Sequence, residues 1–269
     1  MVNIIGCGLA GSFIAKQLEL NKIEYRIFDS NEKFASSKIS ENLFSMTWLK
    51  GHPYLKYSID FLSNNYNIIN KQFNTNKSIQ NVLHIPISNV LKKIDILKKV
   101  TKINNEGLFC NEEFYKGINI ICAGYYSKNL INIKDINSLT GHGFLFEPND
   151  NNNLIKEVMR HYRPFVHEKI MKWHTGEIWY GDSTAIMHQN YLNKQNYYIN
   201  ESLKRISKIG LIGKYKLQFG ARPFINNDTK KFGYYKKINQ NNYVITGGWK
   251  DGMIIYPYLS SLLIKDINK

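Results

Sequence analysis

The chain has 269 residues, 43% hydrophobic and 13% aromatic, enough apolar side chain for a sizeable core and too much for a disordered polymer. Thirty-six Lys and Arg against 21 Asp and Glu leave a net charge of +15, a balance that attracts polyanions and small anionic ligands. The lysines are nevertheless scattered along the whole chain beside abundant Asn, Ile and Tyr, as compositional bias scatters them. Cys7, Cys110 and Cys122 lack CxxC spacing, which excludes a disulfide framework and a zinc site. No apolar run approaches the roughly 20 residues that span a bilayer, and no leader segment precedes the first strand, so a cytoplasmic protein without membrane contact is expected.

The first predicted element is a buried strand, Val2-Asn3-Ile4-Ile5, running into Gly6-Cys7-Gly8-Leu9-Ala10-Gly11. Phe13, Ile14, Gln17 and Leu18 then recur at helical spacing, and Asn21-Lys22 closes the helix. The alternating run Ile23 to Phe28 ends at Asp29, completing a βαβ half. Each residue type has its reason. Gly6 permits the tight turn, Gly8 lets backbone approach a pyrophosphate, and Gly11 packs the helix on the strand. The helix N-terminus offers unpaired N–H groups to phosphates, and Asp29 takes the ribose hydroxyls. A dinucleotide site follows, and these residues leave NAD and FAD open.

Further along, Phe34-Ala35-Ser36-Ser37-Lys38-Ile39-Ser40-Glu41-Asn42 is a small polar loop after the acid. The run Ile94 to Ile103 reads as an alternating strand, and Asn104-Asn105-Glu106-Gly107 as a hairpin turn. A strand through Ile118 to Cys122 then meets Ala123-Gly124-Tyr125-Tyr126-Ser127, and Asn149 to Asn153 is a polar loop. Near the end come Gly220-Ala221-Arg222-Pro223, a hairpin beginning Phe232-Gly233-Tyr234-Tyr235, a strand Tyr243 to Thr246, the turn Gly247-Gly248-Trp249-Lys250-Asp251-Gly252-Met253, and a last helix through Leu259, Leu262 and Leu263.

In order and spacing these segments resemble the D-amino-acid oxidase and glycine oxidase superfamily of FAD-dependent oxidoreductases: its Ala-Ser loop, its Ala-Gly-x-x-Ser turn, its Gly-x-Arg-Pro and its Gly-His-x-x-x-Gly-x-x-x-Ala-Pro signature. The resemblance implies an α/β protein with a Rossmann-like FAD-binding domain, 1–50, 85–135 and 216–269, and a smaller mixed-sheet substrate domain, 51–84 and 136–215. It implies FAD contacts from Gly6, Gly8, Leu9, Ala10, Gly11, Asp29, Ser36, Ser37, Lys38, Val100, Ala123, Gly124 and Arg222, and from backbone at Gly247, Gly248, Trp249, Lys250, Asp251, Gly252 and Met253. In that family the Gly-x-Arg-Pro arginine anchors the substrate carboxylate, here Arg222, and Lys250 is placed to add positive charge beside flavin or substrate. The implied reaction oxidises a C–N bond of an amino acid or secondary amine by hydride transfer to flavin N5, with oxygen or another acceptor completing the cycle.

The chain departs from the family pattern in three ways. Gly248 replaces the signature histidine and Tyr256 its alanine, Asn226-Asn227-Asp228 replaces a Pro-Asp-Gly, and the substrate half is trimmed. Trp48, Tyr180 and Trp249 are aromatic candidates for the substrate wall, with a core role the commoner expectation for any one of them in so aromatic a chain. The seven histidines show no metal-ligand spacing. Two alternatives stand beside the leading reading: an FAD-dependent enzyme modifying a tRNA uridine side chain, which the charge would suit, and a degenerate, non-catalytic flavoprotein. The basic runs at Lys92-Lys93, Lys98-Lys99 and Lys236-Lys237 are expected to be solvated faces rather than a nucleic-acid surface.

Overall fold

The computed structural model describes residues 1–39, 43–44, 49–74, 79–133, 135–152, 155–163, 166–172, 176–225, 233–248 and 251–269. In chain order its elements are β1 (Val2–Ile5), α1 (Leu9–Leu20), β2 (Tyr25–Phe28), a 3-10 turn (Ser36–Ile39), β3 (Leu43–Phe44), α2 (Leu55–Asn65), β4 (Ile69–Asn74), β5 (Ile79–His84) and α3 (Ile87–Val90). They continue as β6 (Lys102–Ile103), β7 (Gly107–Cys110), β8 (Glu113–Lys116), β9 (Ile118–Ile121), α4 (Ser127–Leu130), β10 (Ile136–Phe146), β11 (Val158–Arg163), β12 (Val166–Lys172) and β13 (Ile178–Met187). The chain closes with α5 (His188–Asn193), α6 (Gln195–Ile209), β14 (Tyr215–Ile225), β15 (Tyr234–Lys237), β16 (Asn242–Thr246) and α7 (Gly252–Ile267).

β1 is buried along its whole length, as an apolar run without alternation requires of a parallel strand covered on both faces. It lies between β2 and β9 in a five-stranded sheet of order β15-β16-β9-β1-β2. β1, β2, β9 and β16 are parallel, and β15 runs antiparallel at the edge. α1, α2 and α7 cover one face through Phe13, Ile14, Leu18, Phe61, Leu62, Ile254 and Leu263. The β6-β7-β8 meander covers the other with Val100, Leu108 and Cys110 against Ile5, Phe28 and Ile121. Inside this apolar sheet Asn3, Asn119 and Asn242 form a buried ladder across β1, β9 and β16: Asn3 Nδ2 donates to Asn119 Oδ1 at 2.9 Å, and Asn119 Nδ2 to Asn242 Oδ1 at 2.7 Å. A one-residue slip would strand three buried amides, so the ladder locks the register.

The second sheet has eight strands in the order β14-β10-β13-β12-β11-β4-β5-β3. Phe144, Phe146, Ile170, Ile178 and Tyr180 on one of its faces pack against Ile206 of α6. The two sheets are stitched where Ala35 bridges Ala221 of β14 and the Ala221 N–H donates to Phe34 O at 2.9 Å.

Some expectations change. The run Ile94 to Ile103 is not one strand. The exposed Asp95 reaches the sheet edge, its Oδ2 accepting the Ile27 N–H at 2.7 Å, and only Ile96 bridges β2 before β6 begins at Lys102. The hairpin turn that follows is present, with Asn104 Oδ1 accepting the N–H groups of Glu106 and Gly107. The structure also carries two stretches across the expected domain boundary: α2 packs with α1 and α7, and β14 is an edge strand of the eight-stranded sheet. Among the described residues no helix is long and apolar enough to cross a membrane. Of the basic runs, Lys92 pairs with Glu19 at 2.8 Å and Lys98 with Glu113.

Candidate functional site

The site is built on two turns that enter helices from the same end of the parallel sheet. At the first, Gly6 follows β1 with φ +105°, and a Cβ on it would stand 2.7 Å from Cys122 O at the end of β9. A Cβ on Gly11 would stand 1.9 Å from Gly6 O. Both contacts are with backbone, so no rotamer relieves them. Gly8 caps α1 without a side chain, and a Cβ there would meet Ser37 Oγ at 2.8 Å. That hydroxyl is placed by the 3-10 turn to accept the Leu9 N–H at 2.9 Å. The first intrahelical bond is Ser12 N–H to Gly8 O, which leaves Ala10 and Gly11 N–H without an intrahelical acceptor. No acidic side chain occupies the first turn of α1. The helix end is therefore a bare cluster of donors with a partial positive charge.

Asp29 stands at the rim of this turn. Its Oδ2 accepts the Cys7 N–H and its Oδ1 the Asn31 N–H, both at 2.6 Å. A carboxylate offers about four lone-pair sites, so two remain for hydroxyl donors. Cys7 itself is a packing residue. Burial, with the Asp29 charge adding to it, pushes its thiol up to about 11, and its Sγ donates to Lys92 O at 3.0 Å. Val100, buried beneath β1 and β2, belongs to the meander side of the sheet.

Ala123 and Gly124 follow β9, with Gly124 at φ +58°, and the Gly124 carbonyl accepts the Thr246 hydroxyl at 3.2 Å. The second helix entry lies beside it. Gly247 turns the chain out of β16 at φ +75°, Asp251 N–H donates to Gly248 O at 2.9 Å, and Asp251 O receives the Ile254 and Ile255 N–H groups. Where a Cβ on Gly252 would stand, Leu9 Cδ1 is 3.7 Å away, so the N-terminus of α7 adjoins that of α1. Met253 is buried beneath this turn. Trp249 and Lys250 lie outside the described residues, as does Trp48, and for Lys38 the description extends to the backbone alone.

The two departures in the C-terminal signature prove to be one. A Cβ on Gly248 would stand 2.5 Å from Tyr256 Cζ, and the Tyr256 hydroxyl accepts the Gly248 N–H at 3.0 Å. The ring fills the room beside position 248 and satisfies a backbone donor there. Burial holds this phenol up to about 12, so it stays neutral.

Arg222 lies half-buried on β14, paired with Leu139 of β10. Alternation along the strand places it on the sheet face opposite Ala221 and Phe219. The Thr140 hydroxyl, beside Ala221, contacts His188 Nδ1 at 2.7 Å, and the His188 ring is flanked by Phe34 and Tyr125. Burial first, and then the nearby Lys128 charge, lower the His188 pKa. Tyr180 is not a wall of the Arg222 side. It points into the helix-covered core, where its hydroxyl donates to the buried Glu168 at 3.1 Å. An aromatic residue on the Arg222 face is Trp179, one position earlier, which the sequence reading missed; its only signal was the pair of glycines, Gly143 and Gly181, beneath it.

No family model matches the sequence, and no curated sequence relative matches it. Solved structures do match. Glycine oxidase from Bacillus cereus ATCC 14579 superposes with a TM-score of 0.65 at 15% identity, over 99% of this chain and 96% of that one. Iminodiacetate oxidase from Chelativorans sp. BNC1 gives 0.66 at 11%, over 100% and 95%. L-alpha-glycerophosphate oxidase from Mycoplasma pneumoniae, solved with FAD bound, gives 0.57 at 15%, over 100% and 94%. The chain has the fold these proteins share, a Rossmann-like half with a second, mixed sheet.

Proposed function

We propose that this chain is an FAD-dependent oxidoreductase that oxidises a C–N bond of a small amino acid or secondary amine. The observation that carries this reading is the approach of two helix N-termini, α1 at Leu9 and α7 at Gly252, at a turn that Gly6, Gly8 and Gly11 allow to pack closer than any side chain would permit. The residues present fit the cofactor. Ala10 and Gly11 N–H meet the pyrophosphate at the positive end of α1. Asp29 takes ribose hydroxyls on its two remaining sites and disfavours a 2′-phosphate. The Ser36 to Lys38 turn would hold the phosphates, the Val100 backbone the adenine, and Ala123-Gly124 would let the chain pass close to the ring system. Backbone at Gly247, Gly248, Asp251, Gly252 and Met253 would border the edge of the ring where negative charge collects, and Lys250 is the residue proposed to add positive charge there.

When bound, FAD supplies a hydride acceptor at N5. The chain's own part is to bind and orient. Arg222 holds the substrate carboxylate through two parallel hydrogen bonds, a geometry that a planar guanidinium offers and an ammonium does not. An amine that binds neutral and is held in line needs no side-chain base, and none is assigned. Two solved proteins of this fold are named for glycine and iminodiacetate, both carboxylate-bearing amines, which supports this substrate class. Oxygen or another acceptor completes the cycle.

The test is anaerobic mixing of the FAD-loaded protein with glycine, its N-methyl derivative, iminodiacetate, proline and alanine, with glycolate as a control. Bleaching of the visible flavin bands by carboxylate-bearing amines and not by glycolate is expected. A flavin reduced by dithionite but by none of the amines would overturn the oxidase reading.

A further inference from the structure

We infer that Trp179 sets the length of the substrate, so that this site takes compact amino acids and excludes long-chain ones; the inference rests on the oxidase reading above. Pairing defines the surface concerned. Arg222 opposes Leu139, Gly220 opposes Gly141, and Gln218 opposes Gly143. Gly143 in turn opposes Gly181 on β13. Directly paired residues share a face, and so do residues two apart on one strand. Arg222, the Gly220–Gly141 pair and the Gln218–Gly143–Gly181 row therefore descend one face of the sheet, at about 7 Å and about 13 Å from Arg222 by strand rise. The opposite face is filled by the α6 core.

Down this face the Gly220–Gly141 pair below Arg222 carries no side chain. The second row is closed. The Trp179 indole folds back along β13 across both glycines: a Cβ on Gly181 would stand 1.4 Å from its Cη2, and one on Gly143 2.9 Å from its Cζ2. The side chain is 5% exposed, so it is a packed plug and not a loose flap. An amino acid whose carboxylate is held by Arg222 thus has the bare Gly220–Gly141 pair for its body and meets an indole and the Gln218 amide at the next row. Gln218 Oε1 is buried and has no hydrogen-bond partner among the described residues. An acceptor at the closed end favours a substrate whose far atom is an N–H or O–H donor over one ending in a methyl group.

The experiment uses the FAD-loaded full chain as wild type, Trp179→Ala, Trp179→Phe and Gln218→Leu. Flavin content is read from the visible spectrum. Anaerobic bleaching rates are then measured with straight-chain amino acids from glycine to norleucine, and with serine against 2-aminobutyrate. Wild type is expected to lose about tenfold in rate for each step past the length that fits, the discrimination one methylene brings in a closed pocket. Trp179→Ala should raise the long-to-short ratio by about tenfold or more and Trp179→Phe by less, while Gln218→Leu should erase the preference for serine. Full flavin content in Trp179→Ala with an unchanged length profile would overturn the inference, as would a wild-type profile flat from glycine to norleucine. If the Ala variant fails to fold, Trp179→Phe and the wild-type profile decide. Absence of flavin from the wild type after FAD loading would instead overturn the cofactor reading itself, and this inference with it.

Discussion

Glycine does opposite work at the β1 to α1 turn and in the region formed by the eight-stranded sheet and the α7 entry. Around the β1 to α1 turn, Gly6 and Gly11 stand against backbone carbonyls, where an added Cβ would lie 2.7 Å and 1.9 Å away. A carbonyl there cannot retreat without dismantling the sheet. On the eight-stranded sheet and at the β16 to α7 turn, Gly143, Gly181 and Gly248 stand against side chains of the same molecule, Trp179 and Tyr256. Those contacts are bargains between two positions, and a change at one can be answered at the other. The first kind of glycine is fixed by the backbone around it and has no partner position that could answer a change. The second kind is one half of a fit between two positions of the same chain.

The sharpest break of the comparison is Gly11→Ala. Overpacking against backbone should cost about 3 kcal/mol or more, seen as a lowered urea midpoint and loss of FAD retention on gel filtration. Next is Arg222→Lys, which keeps the charge and loses the bidentate geometry. It should weaken carboxylate-bearing amines by about 1.5–3 kcal/mol, read from the amine concentration that half-saturates flavin bleaching, with flavin content retained. The bargain at the second region is tested by a double-mutant cycle on Gly248→Ala and Tyr256→Ala. Each alone should destabilise, but the Cβ at 248 has nothing to strike once the ring is gone. The pair should therefore cost about 1–2 kcal/mol less than the sum, whereas strict additivity would show the two positions to be independent.

A smaller effect is expected of Ser37→Ala, about 1 kcal/mol, because the Leu9 N–H loses its acceptor at the helix start. The smallest is a pH effect at the seam. His188 has a folded pKa lowered from 6.5 by burial and then by Lys128, so the unfolded chain takes the proton first as pH falls. The stability contributed by the neutral ring is complete above the unfolded value and is lost as pH drops from there toward the folded one. A thermal melt should thus lose more between about pH 7 and pH 5 in wild type than in His188→Phe; equal losses would remove His188 from the account.

Much of the Rossmann-like half was legible in sequence because its constraints are local. The glycine spacing, the strand before it and the acid after it lie within 29 residues, and Leu9–Leu20, Asp29 and the hairpin at Asn104 to Gly107 fall where the pattern places them. What was hidden depends on residues distant in sequence. The Asn3–Asn119–Asn242 ladder reads as three unrelated polar interruptions until the register aligns them. α2 looks like part of the intervening substrate segment and joins the α1–α7 core through Phe61 and Leu62. Gly248 and Tyr256 look like two lapses from a signature and are one exchange of volume. Tyr180 and Trp179 differ by a single step along β13, and alternation sends one into the core and the other to the Arg222 face, a distinction that composition does not reveal.

The central claim is that the β1 to α1 turn and the α7 entry hold FAD. Titration of the purified chain with FAD, followed through the change in its visible spectrum and repeated with NAD as competitor, tests it most directly. Saturation at one FAD per chain is expected, with NAD displacing it only at an excess comparable to that needed with ADP, whose half of the molecule it shares. No saturable change with FAD, or displacement by NAD as readily as by FAD itself, would contradict it.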